Sequence, residues 1–440
     1  MPTHIANGET RFPAFWPRVR EFAVPASMIE TATARRLRGD WAGACAAAGF
    51  DVDLDLKHLA RVRGRELATR VRADLRHLAP DLLRWHMPRI APDGLLRPGL
   101  TVPLARYELP AGRPPLHLVV RTPPAWAGGG QRLGLALWDG VDPAWDDDGL
   151  HPHPRPSRRF RLDLHRHLWD ARRAGELRER SGAGRPPLPE TERWAAEARI
   201  LLAAEGRAAG AVAVRAGERR LVLDVGDLDG DPRGDPDGGS GSRLPLLPDA
   251  ATWLPPDLEL LRAGAVSPGR LHPLVAAALA PGAAPAVRVP DDPNAPRIVE
   301  CRGARHRIAL VDGVLAPLDH DPAQVRREEL FFALSGPPLP CLQAIDDAHR
   351  RPDCLDGVRD RIAHGDVAGA LAVVEGLLGP AAVLRDGPLR GALLGVEAER
   401  LAYGLYRAGL AGPPPPRRLF DHRERLDPHE RPHPRHAFSV

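Results

Sequence analysis

Apolar positions fall at helical spacing across residues 25–87. Leu67, Val71, Leu75 and Leu78 recur at i, i+4, i+8 and i+11, an amphipathic stripe. Upstream, Ser27 and Glu30 stand at capping-box spacing behind Pro25, which predicts a helix start. From residue 100 the period changes. The runs "LTVPLARYEL", "PLHLVVRT" and "QRLGLALWDG" are short, β-branched or alternating, and bounded by Pro and Gly, so they predict strands.

A helix is predicted over "PPLPETERWAAEARILLAAEG", with Glu190 and Glu192 favouring its N-terminal dipole. "AVAVRAGERRLVLDV" predicts a hairpin turning at Gly217. Residues 227–243 hold no large apolar residue except Leu228 and read as an acidic, Gly-rich linker or loop. "PPDLELLRAG" and "LHPLVAAALA" predict short helices. "RIVECRGARHRIALVDGVLAPL" predicts a second β unit with turns at Gly303 and at Asp312–Gly313. From Pro322 to about Leu410 the pattern is helical again.

The pattern predicts an α+β chain, with helical N- and C-terminal regions flanking a mixed middle of short antiparallel strands. Its expected divisions are a helical region at 1–90, a mixed region at 91–226, the linker at 227–243, a second mixed region with a β-hairpin at 244–335, helical hairpins at 336–411, and a Pro/His/Arg-rich tail at 412–440.

One stretch occurs twice. Arg35–Ala46 and Arg361–Ala372 share Arg, Gly, Asp, Ala, Gly, Ala and Ala at equivalent positions. Gly39 and Gly365 can take the left-handed conformation that ends a helix. Asp40 and Asp366 can then cap the next helix. Each copy therefore predicts a tight αα-hairpin, in which the small Ala-Gly-Ala residues let two helices approach. Arg38-Gly39-Asp40 also spells an adhesion tripeptide, but a carboxylate committed to capping is not free to act as one.

Composition narrows the setting more than the function. The 440 residues include 49 Pro and 43 Gly, which fits many short elements with long connections. Lys57 is the only lysine, and the Arg, Ala, Gly and Pro usage is that of a high-GC bacterial-type gene. A formal charge of +4 permits a nucleic-acid partner without requiring one. No apolar leader opens the chain, and the most apolar stretch is interrupted by Pro273, Pro281 and Pro285, so no membrane span is expected. Four cysteines fit a reducing cytoplasm.

Candidate chemistry is thin. Cys341, His349, Cys354 and His364 are residue types that suit zinc, at a spacing that matches no common zinc module. Cys301, His320 and Asp319 could form a thiolate–imidazole site if the hairpin folds them together. Period 2 sends residues 301 and 306 to opposite faces of an unbroken strand, so a turn at Gly303 is needed for a Cys301–His306 pair. Asp319 and Asp321 are equally natural caps for the helix containing Pro322. Arg61, Arg65, Arg72 and Arg76 fall on one side of a continuous helix and could contact nucleic acid. There is no P-loop or dinucleotide-binding signature, and no cofactor is implied. Shared hairpin chemistry without a catalytic signature leads us to expect a non-enzymatic scaffold that binds another protein. An enzyme using the 301–320 segment and a nucleic-acid-binding protein are the alternatives.

Overall fold

The computed structural model describes residues 15–110, 113–140, 155–183, 190–216, 219–226, 233–234, 244–283, 296–301, 303–312, 314–334, 339–350, 352, 357–379, 383–384 and 386–412. Helix accounts for about 51% and strand for about 17%, with helices at both ends and small sheets between them, an α+β arrangement.

The first helices are α1 (Ala26–Leu37), α2 (Trp41–Ala47), α3 (Leu56–Arg63), α4 (Arg65–His77) and α5 (Pro80–His86). Two details differ from the sequence expectation. Pro25 is itself the cap residue of α1, so Ser27 lies inside the first turn and no side chain caps that end. Gly64, at φ +99°, separates α3 from α4, which pack as a hairpin and are not one helix.

These helices surround a four-stranded sheet built from β1 (Phe50–Asp53), β2 (Thr101–Tyr107), β3 (Leu116–Arg121) and β4 (Leu133–Trp138). Its order is β1-β4-β3-β2, with β1 parallel to β4 and the other pairs antiparallel. Pro103 sits at a register shift on the edge strand β2, where a missing N–H does least harm. Leu67, Val71 and Leu75 of α4 pack into this core with Val102, Leu104, Leu118 and Leu135.

The second unit joins α6 (Glu190–Ala204) to the hairpin β5 (Gly210–Ala216) and β6 (Arg219–Val225). Arg233 and Gly234, inside the expected linker, pair with β6 as the short strand β7; the rest of 227–243 lies outside the described residues. Trp194, Ala198 and Leu202 of α6 cover Val212, Val214 and Leu223. Helices α7 (Pro256–Arg262) and α8 (Pro273–Leu279) return to the first core through Leu260 and Val275.

Glu197 on α6 makes this unit sensitive to acid. Its carboxylate accepts hydrogen bonds from Arg180, whose Nη1 also holds Leu164 O at 2.8 Å, and His165 Nε2 lies 3.2 Å away. Burial opposes the charge, yet hydrogen bonds from His165 and Arg180 hold the carboxyl down to about 2. A carboxyl depressed in the folded state stabilises fully above its unfolded pKa of ~4.3 and loses that contribution as pH falls toward 2. Glu197→Gln is therefore expected to lower stability at pH 7 and flatten the decline between pH ~4.5 and 2. Urea midpoints measured across that range check this; curves that stay parallel would refute it.

A third sheet contains β8 (Arg297–Cys301), β9 (Ala304–Val311) and β10 (Val314–Pro317), all antiparallel, with turns at Gly303 (φ +77°) and Asp312 (φ +51°). The C-terminal helices are α9 (Pro322–Leu334), α10 (Pro340–Arg350), α11 (Val358–Ala363), α12 (Val367–Leu378) and α13 (Pro388–Arg407). Residues 413–440, which hold nearly all of the expected tail, lie outside the described residues.

Candidate functional site

The repeated stretch forms two joints with the same pattern of hydrogen bonds. Gly39 and Gly365 take φ +80° and +83°. Asp40 Oδ1 accepts the Gly43 N–H at 2.8 Å, and Asp366 Oδ1 accepts the Gly369 N–H at 3.0 Å. The other carboxylate oxygen in each takes an arginine five residues upstream, Arg35 at 3.0 Å and Arg361 at 2.8 Å. The shared arginine thus secures the cap, a role that spacing alone did not reveal. The shared glycine also has a different reason from the one expected. A Cβ on Gly43 or Gly369 would lie 2.0 or 2.1 Å from the capping carboxylate. The glycine makes room for the cap, not for a neighbouring helix.

The joints differ in their surroundings. Around Gly39 nothing lies within 4 Å of where a Cβ would sit. Gly365 meets the backbone of Gly130, and His364 O receives a hydrogen bond from the buried Arg84. The second joint is docked on the first core, and the first joint is open.

Helix α13 completes that docking. Tyr403 and Tyr406 stand edge-on to Trp126, with ring centroids 5.9 and 5.7 Å apart. Glu399 accepts the Gly129 N–H at 2.6 Å, and Arg407 pairs with Asp51 and Asp53 at 3.0 and 3.3 Å. The opposite face carries Gly391, Leu394, Ala398, Leu401, Leu405 and Ala408, all exposed, at successive spacings of three and four. Leu394, Leu401 and Leu405 are 59%, 63% and 38% exposed. This seam was not singled out from the sequence, because apolar residues occur all round the helix.

The predicted site residues are distributed as follows. Arg61 lies on α3, whereas Arg65, Arg72 and Arg76 lie on α4 beyond the Gly64 break, so the continuous stripe does not form. Arg65 and Arg76 are exposed and Arg72 is half-buried. Of the four residues of the zinc set, Cys354 and the side chain of His349 lie outside the described residues. His364 is buried beside Phe22, with Nδ1 2.8 Å from Asp360 O, and burial lowers its pKa. Cys341 is buried in another cluster, among Ile308, Leu315, Leu339, Ala348 and Leu377. Among the described residues no group of three or more His, Cys, Asp or Glu is arranged to hold a metal ion.

The turn at Gly303 pairs Cys301 with Ala304 and His306 with Val299; the Cys301 side chain lies outside the described residues. His320 instead meets Cys341, with Nε2 3.4 Å from Sγ. The His306 ring stacks on His320, centroids 4.2 Å apart. Asp319 accepts the Arg307 N–H at 2.7 Å and its guanidinium at 2.7 Å, which holds the carboxyl down to about 2. Asp321 caps α9 by accepting the Ala323 N–H at 3.0 Å.

Two carboxylate–imidazole contacts are buried around α5. His272 Nδ1 accepts the Leu274 N–H, so its Nε2 carries the proton donated to Asp81 Oδ2 at 2.9 Å. His86 Nδ1 faces two carbonyls, Leu82 O and Leu168 O, and burial favours its neutral form. Asp257 lies 3.9 Å from His86 Nε2 and accepts the Trp85 indole N–H at 2.8 Å. Both nitrogens of His272 are engaged, which leaves neither for proton transfer to a substrate. No helix among the described residues is long and apolar enough to cross a membrane. The chain matches no known protein family, no curated protein and no solved structure.

Proposed function

We propose that this chain is a non-enzymatic protein-interaction scaffold whose contact surface is the open face of α13. One observation carries the reading: a five-turn helix packed by its tyrosine face presents apolar residues at 3-4 spacing to solvent on the other. That spacing is how one helix packs along another. At about 100° per residue the six positions cover roughly 100° of the helix surface, the width of a packing stripe.

The seam reads the same in both directions, which favours a second copy of the same helix running antiparallel: Gly391 then faces Ala408, Leu394 faces Leu405 and Ala398 faces Leu401. Exposed Arg390, paired with Asp386 just ahead of its own helix, and Glu397 line one edge. Gly395 and Ala402 line the other edge and permit close approach. Sedimentation of the full chain is expected to show a dimer at micromolar concentration. The double variant Leu394→Glu, Leu401→Glu should weaken it by about 100-fold or more, since each buried leucine contributes about 1.5–3 kcal/mol. Because both leucines are exposed in the single chain, its helix content should not change. A wild-type chain that stays monomeric at millimolar concentration would overturn the proposal. So would a dimer that appears only after removal of residues 413–440, since the chain's own tail would then occupy the seam.

A further inference from the structure

We propose that Cys341 is a modification site, a thiol that His320 activates toward small hydroperoxides. This inference is independent of the α13 reading. Cys341 is the second residue of the eleven-residue helix α10, and His320 Nε2 lies 3.4 Å from its sulfur. A thiol beside an imidazole at a helix N-terminus is the arrangement in which thiolate character, and with it reactivity, is enhanced. The His306 ring stacks on His320 with planes 23° from parallel, which braces the imidazole that faces the sulfur. Asp319 is fixed by Arg307 at the neighbouring position, so it is already neutralised and does not compete for the thiol proton.

Access sets the class of reagent. Cys341 is fully buried and His320 half-buried, so the site suits only a small neutral oxidant. In the step, the Cys341 S–H proton passes to His320 Nε2. The thiolate attacks one peroxide oxygen, an S–O bond forms and the O–O bond breaks. The departing hydroxide or alkoxide takes the proton from the imidazolium and leaves as water or alcohol. Sulfur loses two electrons, the peroxide gains them, and a sulfenic acid remains. The added oxygen sits among Ile308, Leu315, Leu339 and Leu377, so oxidation places a polar group where α10 packs on the sheet.

The chain contains its own comparison. Cys45 is equally buried, but burial without a paired imidazole pushes its thiol up to about 12, with the Asp40 charge adding to the shift. The experiment treats the native full-length protein with hydrogen peroxide near neutral pH, traps sulfenic acids with dimedone, and maps the labelled cysteines by mass spectrometry. Cys341 is expected to label at least about tenfold faster than Cys45, and His320→Gln to remove most of that advantage. Equal labelling of Cys341 and Cys45, labelling of Cys341 only in urea, or labelling confined to Cys301 or Cys354 would overturn the proposal. So would a folded His320→Gln variant that labels as wild type. If that variant fails to fold, the wild-type comparison of the two cysteines decides.

Discussion

Replacing Arg84 with methionine is expected to cost about 3–5 kcal/mol, a large part of the stability of an ordinary domain. Among the described residues no carboxylate touches the Arg84 guanidinium, and Asp366 acts on it only through its charge. Its Nε donates to Ala23 O at 2.9 Å, Nη1 to Gln131 O at 2.7 Å and Nη2 to His364 O at 3.2 Å. Those carbonyls belong to the segment before α1, the lead into β4 and the second repeated joint, so one side chain ties three distant stretches. Burial pushes its pKa down to about 10, which still leaves it charged at pH 7. Methionine keeps most of the volume and orphans three buried acceptors, each worth about 1–3 kcal/mol. The relief from not burying a cation offsets part of that loss. Lysine keeps the charge but has no planar fork to span three directions, so Arg84→Lys should recover only part of the stability. Urea midpoints for the two variants test this, and a methionine variant within 1 kcal/mol of wild type would show that the three bonds contribute little.

Arg84 also shows why some of this molecule could be read from its sequence and some could not. The stripe on α4, the turns at Gly303 and Asp312, and the α+β order follow from spacing within a few residues, where sequence distance and spatial distance agree. Strand β1 does not. Asp51 and Asp53 make it look like a polar connection, and its parallel partner β4 begins at Leu133. Arg84 lies in "PDLLRWH", where a charged residue suggests a solvent face, yet all seven residues of α5 are buried. Only the tertiary arrangement supplies the carbonyls that make burial tolerable.

The candidate sites follow the same division. Sequence distance does not tell the partners of His320 apart: Cys301 lies 19 residues before it and Cys341 21 after it, and Cys341 is the one within 3.4 Å. The α13 seam has the opposite history. Its spacing is fully visible, but Leu389, Leu393, Val396, Tyr403 and Tyr406 make a second apolar face, and only packing on α11, α12 and Trp126 distinguishes the covered side from the open one. The repeated joint was legible because its cap is local. The different uses of its two copies were not, since they depend on what each copy meets.

That difference gives the second large effect. Gly39→Ala and Gly365→Ala place the same methyl on the same left-handed backbone, at φ +80° and +83°. The first should cost only the backbone strain, about 1–2 kcal/mol, because nothing lies within 4 Å of the new Cβ. The second adds a collision, since its Cβ would sit 2.1 Å from Gly130 O and 2.5 Å from Gly130 C. Those are backbone atoms, so no rotamer change relieves the contact. Overpacking adds about 1–3 kcal/mol, for a total of about 2–5 kcal/mol. The chain can escape by letting the α11–α12 hairpin lift from the Gly130 loop, which would also loosen the His364 carbonyl from Arg84. Amide exchange should therefore rise at Gly129 and Gln131 in Gly365→Ala and stay at wild-type levels there in Gly39→Ala. Equal losses of stability in the two variants would mean that the second joint is not seated on that loop.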